Sequence, residues 1–331
     1  MPARASGKRP GEFALIDRYF RPLAGDPGAF NLKDDAALYR QRPDEDLVIT
    51  ADMVVEGVHF LPEDAAGSIA RKALRVNLSD LASKGAEPFG YLMSIALPDR
   101  WTAKWVGDFA RGLAADQSQY GVTLLGGDTT RSAGGLAISI TAIGRVPKGR
   151  IILRSGARVG DIIFVTGTIG DGALGLRIRQ GEISAKGRGR QILLDRYLHP
   201  QPRTMLAPVL LRHATAAIDV SDGLVGDLAH ICDESGVGAE IGAYAVPLSP
   251  AAAAVLAADR KALPAILNGG DDYEILATVP ESAAAAFAEE AESMGIPVTR
   301  IGEIVRGEGP PVVRDAGGRP IRLTAKSHTH F

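Results

Sequence analysis

Ala217-Ile-Asp-Val-Ser-Asp-Gly-Leu224 is the stretch on which the fold turns. A short apolar run over 215–218 has the length of a buried strand. Two aspartates, a serine and a glycine follow at once, and from Leu224 the apolar residues recur at helical spacing. A strand that passes into a helix through an acidic turn is a unit of α/β architecture.

The same event is expected four more times. Lys33-Asp-Asp-Ala36, Ile49-Thr-Ala-Asp52, Gly126-Gly-Asp-Thr-Thr130 and Gly269-Gly-Asp-Asp-Tyr273 each read as aspartates placed where an apolar strand ends. Between them the periodicity predicts helices over 12–22, 68–85, 103–120, 250–258 and 281–294, with others opening at 172, 203 and 224. Strands are predicted over 47–51, 122–125, 136–146, 161–166, 215–218 and 273–279, with terminal strands after the helix over 281–294. The glycine-rich, charged segment 154–161 breaks the pattern and divides the chain into residues 1–150 and 151–331, while the polar stretch 181–189 reads as a mobile loop. Fold class is therefore α/β (α+β) in two domains.

Length and composition agree. With 331 residues, 46% of them apolar and 23% charged, the chain reads as globular with two domains of ordinary size. Its net charge of −2 provides no basic field for nucleic acid, and no apolar stretch is long enough to span a membrane. A lone cysteine, Cys232, can form neither an internal disulfide nor a cysteine metal centre, which points to the cytoplasm.

Aspartate has short reach and hard oxygen donors, so several of them beside flexible glycines suit Mg²⁺ and phosphate. Taken alone, any one of these segments reads rather as an Asx-turn or a helix N-cap, and it is the five together that point to a shared metal site. Asp80 adds a different signal, since on a continuous helix it shares an apolar sector with Ile69, Ala73 and Val76. A carboxylate there needs a cation, either a metal or Lys84 one turn on. Residues 170–175 match G-x-G-x-x-G but lack the later strand with an acidic end, and read as a tight turn. Neither a P-loop nor the protein-kinase signature elements occur. His328 and His330 have no third ligand, and His59 is open between a site role and a structural one.

Taken together, residues 52–60, 76–81, 85–86, 125–131, 154–157, 217–224 and 269–274 resemble the thiamine-monophosphate kinase family, which is related to aminoimidazole ribonucleotide synthetase. The resemblance spans nearly the whole chain. It implies ATP-dependent phosphorylation of thiamine monophosphate to the diphosphate, with several Mg²⁺ ions, in a homodimer. On it, the N-terminal domain binds nucleotide and metal and pairs with its copy, and the C-terminal domain completes the active site. By position, Asp35, Thr50, Ala51, Asp52, Asp80, Asp128, Asp219 and Asp222 resemble metal ligands. Tyr120, Gly127, Arg154 and Ser221 resemble nucleotide contacts, and His59, Asp271 and His328 resemble substrate contacts. The chain departs from the family pattern at Lys33, Ala51, Asp271 and His328. The other readings are a cyclase-like enzyme of the same superfamily and a non-catalytic protein that binds a magnesium nucleotide.

Overall fold

A computed structural model describes residues 9–323, so His328 falls outside the described residues. The chain forms two compact units, one built from residues up to 43 with 49–77 and 88–144, the other from 44–48, 78–87 and 145 onward.

In the first unit α1 (Glu12–Leu15) runs on through a π turn (Ile16–Phe20) and a 3₁₀ turn (Arg21–Leu23). There follow β1 (Glu45–Val55), α2 (Ala66–Ser83), β2 (Glu87–Pro98), α3 (Ala103–Tyr120), β3 (Thr123–Ser132) and β4 (Ala137–Pro147), and the strands form a sheet of order β1-β4-β2-β3. α3 has the bounds its periodicity predicts. Thr102 caps it by accepting from the Trp105 N–H at 3.1 Å, and Gly121, left-handed at φ 68°, ends it. α2 is locked to α3 by a buried fork, in which Arg75 Nε and Nη2 each donate to Asp116 at 2.7 Å. Strand β2 is absent from the sequence reading because Pro88, Gly90 and Pro98 look like breakers. The prolines in fact lie at its ends, and its middle pairs in parallel with β3, with a register shift at Tyr91/Leu92.

The second unit continues with β5 (Ile162–Thr166), α4 (Asp171–Gln180), α5 (Gly187–Leu198), α6 (Ala207–His213), β6 (Ala216–Asp219), α7 (Leu224–Ser235) and β7 (Gly238–Gly242). It closes with α8 (Pro250–Ala258), α9 (Leu263–Asn268), β8 (Ile275–Val279), α10 (Ala284–Ser293), β9 (Val298–Val305) and β10 (Val312–Arg314). The six strands lie in the order β10-β7-β9-β5-β8-β6. Both faces of the sheet are covered. Ile163 and Val165 of β5 pack with Leu193, Leu228 and Ile266 on one side, while Ile162 and Phe164 pack with Leu210 and Phe287 on the other. That double burial is why β5 reads as an unbroken apolar run.

The expected loop over 181–189 is shorter than predicted, since α5 starts at Gly187. Gly187 and Gly189 mask its helical signal. The glycines at 170–175 prove to be packing positions. Gly170 is left-handed at φ 88°, and a Cβ on Gly172 or Gly175 would lie 2.1 Å from Asp271 O or 2.2 Å from Leu193 O.

Candidate active site

Among the described residues, the aspartate of only one of the five acidic segments, Asp219, closes a strand. Asp52 lies inside β1 and Asp128 inside β3, Asp34 and Asp35 follow a 3₁₀ turn (Pro27–Leu32), and Asp271 and Asp272 precede β8. The strand-end expectation is corrected accordingly. In β1 the apolar run is the first half of a longer strand that carries on past Asp52 until Val54 is buried again.

In the first unit, Asp35, Gly127 and Asp128 line one cleft of about 700 Å³, together with Phe13, Phe20 and Tyr39. That volume is ample for a nucleotide-sized ligand. Asp35 and Asp128 are exposed. Gly127 stands opposite Met93 in the ladder, at φ 149°, so closely that no larger residue fits. Asp52 is fixed through its backbone, its N–H donating to Asn77 Oδ1 at 2.9 Å, and Thr50 and Ala51 precede it on the same strand. His59 Nδ1 accepts from the Val55 N–H at 3.1 Å. Nδ1 is thereby the acceptor nitrogen of this ring. Tyr120 lies under the Arg75 guanidinium, 5.5 Å from its ring centre.

In the second unit, to which residues 78–87 belong, Asp80 near the end of α2 and Lys84 just past it meet the acidic turn after β6. The Asp219 carboxyl is buried, and burial pushes it well above the usual carboxylate range; the neighbouring Asp80 charge adds to the effect, and a hydrogen bond from Ser79 opposes it. Lys84 Nζ donates to Ala217 O at 2.8 Å. Burial lowers the lysine to about 8 despite the attraction of Asp219 and Asp80, with Arg154 lowering it further. Asp222 is half-buried, and its N–H and that of Gly223 both donate to Asp227 Oδ2 at 3.1 Å. Asp227 is raised to about 7, first by burial and then by Asp222. Ser221 O accepts from the Asp271 N–H at 2.8 Å, which ties the two acidic segments together. Arg154 is exposed, and its carbonyl accepts from Ser235 Oγ at 3.3 Å.

Sequence reading missed Asn77, Ser79 and Asp227. Asn77 and Ser79 do carry a signal, since two polar residues lie on the same buried helix as Asp80. Asp227 has only the signal of an acid in the first turn of a helix. Among the described residues, no group of three or more His, Cys, Asp or Glu side chains is gathered closely enough to hold a metal unaided. Carboxylates contributed singly or in pairs suit Mg²⁺, which keeps water and phosphate oxygens in its shell.

Residues 33–146 match the N-terminal domain of the AIR synthase related proteins, and residues 158–314 match their C-terminal domain. Thiamine-monophosphate kinase of Caulobacter vibrioides is 47% identical over 305 residues, which cover 91% of this chain and 86% of that protein. The crystal structure of thiamine-monophosphate kinase from Stenotrophomonas maltophilia K279a superposes with a TM-score of 0.83 at 41% identity, covering 93% and 97% of the two chains. AaThiL complexed with AMPPCP and TMP superposes at 0.77 with 31% identity, covering 97% of each chain. The chain belongs to the thiamine-monophosphate kinase family, built on the two AIR synthase related domains.

Proposed function

We propose that the chain transfers the terminal phosphoryl group of ATP to thiamine monophosphate and releases thiamine diphosphate and ADP. The observation that carries the reading is its relation, over nearly its whole length, to thiamine-monophosphate kinases, including one solved with AMPPCP and TMP. An oxygen of the acceptor's phosphate attacks the γ-phosphorus of ATP while the bond to the β–γ bridging oxygen breaks. That oxygen is already ionised at neutral pH, so no side chain has to remove a proton. A site of carboxylates and glycines, with His59 committed through Nδ1 to a backbone N–H, answers that demand.

Asp35, Thr50, Ala51, Asp52, Asp80, Asp128, Asp219 and Asp222 would hold magnesium. Their oxygen chemistry fits, and a bound cation would offset both the burial of Asp219 and its repulsion by Asp80, which together raise that carboxyl in the absence of metal. Bound Mg²⁺ would offset the charge of two phosphate anions and stabilise the transferring group. Gly127 lets phosphate approach the β3 backbone, and Arg154 offers a guanidinium fork for its oxygens. Tyr120 and Ser221 complete the nucleotide contacts in this reading, and Asp271 and His59 face the acceptor.

A homodimer is part of the proposal. Ile49 and Met53 on β1 and Leu92 on β2 are large apolar residues left exposed on strands of the first unit's sheet, as a pairing surface would require. The cytoplasmic setting rests on the single cysteine, which is buried.

The test is incubation with ATP, Mg²⁺ and either thiamine monophosphate or thiamine, with product separated by chromatography. Thiamine diphosphate should form from the monophosphate alone. Saturable nucleotide binding without product, or equal turnover of free thiamine, would overturn the reading.

A further inference from the structure

Residues 269–274, Gly-Gly-Asp-Asp-Tyr-Glu, form a loop that would not hold its shape alone. Gly270, Asp271 and Tyr273 are all left-handed, at φ 72°, 61° and 51°. For a tyrosine or an aspartate that is a disfavoured conformation, sustained only when the surroundings impose it.

Two buried acids impose it, one residue apart. Asp272 accepts from the N–H groups of Gly170 at 2.8 Å and Gly172 at 3.1 Å, at the start of α4. Glu274, with no exposed surface, accepts from Thr166 Oγ1 at 2.6 Å, from Arg203 Nε and Nη2 at 2.7 and 2.6 Å, and from Arg196 Nη2. Thr166 ends β5, Arg196 lies on α5 and Arg203 follows it, so three separate elements converge on one carboxylate. The intervening residues are held through the main chain, with the N–H groups of Asp271 and Tyr273 donating to Ser221 O and Val220 O at 2.8 Å. Even-numbered side chains anchor the loop in the core. The odd-numbered ones, Asp271 and Tyr273, are half-buried beside the acidic turn.

We propose that Asp272 and the Glu274–Arg196–Arg203 cluster are positioning residues for the phosphate acceptor, which fix the left-handed loop so that Asp271 and Tyr273 meet an organic cation bearing a phosphate. The inference rests on the proposed function, in which Asp271 contacts the acceptor. Nothing in the cluster is assigned to the nucleotide, so loosening the loop should discriminate between the two substrates.

The experiment compares Asp272→Asn, Glu274→Gln, Arg203→Met and Arg203→Lys with the unmodified chain. Amide hydrogen exchange over 270–273 should accelerate in the first three. The KM for thiamine monophosphate should rise about tenfold or more while that for ATP stays within about twofold. Arg203→Lys keeps the charge and should recover part of what Arg203→Met loses. A merely structural role would lower the folded fraction and so reduce kcat with neither KM changed, and that result would overturn the inference. Equal rises in both KM values, or unchanged exchange over 270–273, would overturn it too. If the unmodified chain itself fails to phosphorylate thiamine monophosphate, the proposed function falls first, and this inference with it.

Discussion

Gly126 and Gly127 form a matched pair of probes, adjacent in β3 and chemically identical, yet in opposite steric settings. A Cβ on Gly127 would lie 1.8 Å from the carbonyl oxygen of Met93 and 2.6 Å from its carbon, while a Cβ on Gly126 would meet only Leu92 Cδ2, at 3.3 Å. Real Cβ contacts under 3.0 Å are essentially unknown, so Gly127→Ala would have to part β2 from β3 by roughly 1.2 Å. Ladder hydrogen bonds do not survive such a stretch, and losing two of them costs ~1 kcal/mol each. The backbone angle, φ 149°, adds ~1–3 kcal/mol for any residue with a Cβ. Gly127→Ala should therefore cost ~3–5 kcal/mol. Gly126→Ala, opposed by the tip of a movable side chain, should stay within ~1 kcal/mol. Urea denaturation of both variants measures these differences, with turnover followed in parallel. Because Asp128 is the next residue, turnover should fall at least about tenfold in Gly127→Ala and little in Gly126→Ala. Wild-type stability and turnover in Gly127→Ala would refute the steric argument, and with it the placing of Asp128 by this ladder.

Three further outcomes are expected. Asp116→Ala leaves Arg75 charged and buried, so it should destabilise by ~3–5 kcal/mol, whereas replacing both partners with apolar residues should recover most of the loss in urea denaturation. The Cys232 thiol is pushed by burial from its ordinary 9 to about 11; between those values the folded chain holds a proton that the unfolded chain has released, so stability should fall as pH rises from 9 to 11. Cys232→Ala should lack that component, and a thiol reagent at pH 8 should react quickly with the wild type only after unfolding. Ile49→Lys with Met53→Lys should shift the sedimentation coefficient to that of a monomer if these residues form the dimer surface, and an unchanged coefficient would remove them from it.

How far the sequence discloses this fold depends on whether a segment's structure is set locally. α3 carries its own cap, its own glycine stop and a full amphipathic period, and its bounds are legible to the residue. β2 and α5 are not, because Pro88, Pro98, Gly187 and Gly189 weaken the local signal while tertiary contacts decide the outcome: pairing with β3 for the strand, and close packing on Gly175 for the helix. β7, five residues long, has no counterpart among the predicted strands, whereas β9 and β10, which pair with it from far along the chain, fall where terminal strands are expected. Short strands whose partners lie tens of residues away leave little periodicity to read.

The acidic site divides along the same line. Asp80 is legible because a carboxylate on an apolar helical face is an imbalance visible within one element. What the sequence could not convey is how that imbalance is answered, since Lys84 spends its nearest contact on Ala217 O and Asp219 carries the cost of burial beside Asp80. Sequence reading posed a metal and a lysine as competing partners for Asp80. On the proposed reading the two would be complementary, because Lys84 donates to Ala217 O and its single positive charge cannot balance both Asp80 and Asp219. A divalent ion would meet the remaining demand. Neutralising the site from the metal side should then relax the pressure on Asp219 without displacing Lys84 from Ala217 O. For that reason Lys84→Met should strengthen the dependence of folding stability on Mg²⁺ rather than abolish it. Thermal unfolding across a magnesium titration measures the dependence in each chain, and a variant whose midpoint no longer responds to Mg²⁺ would show that the lysine, not the carboxylates, organises this part of the site.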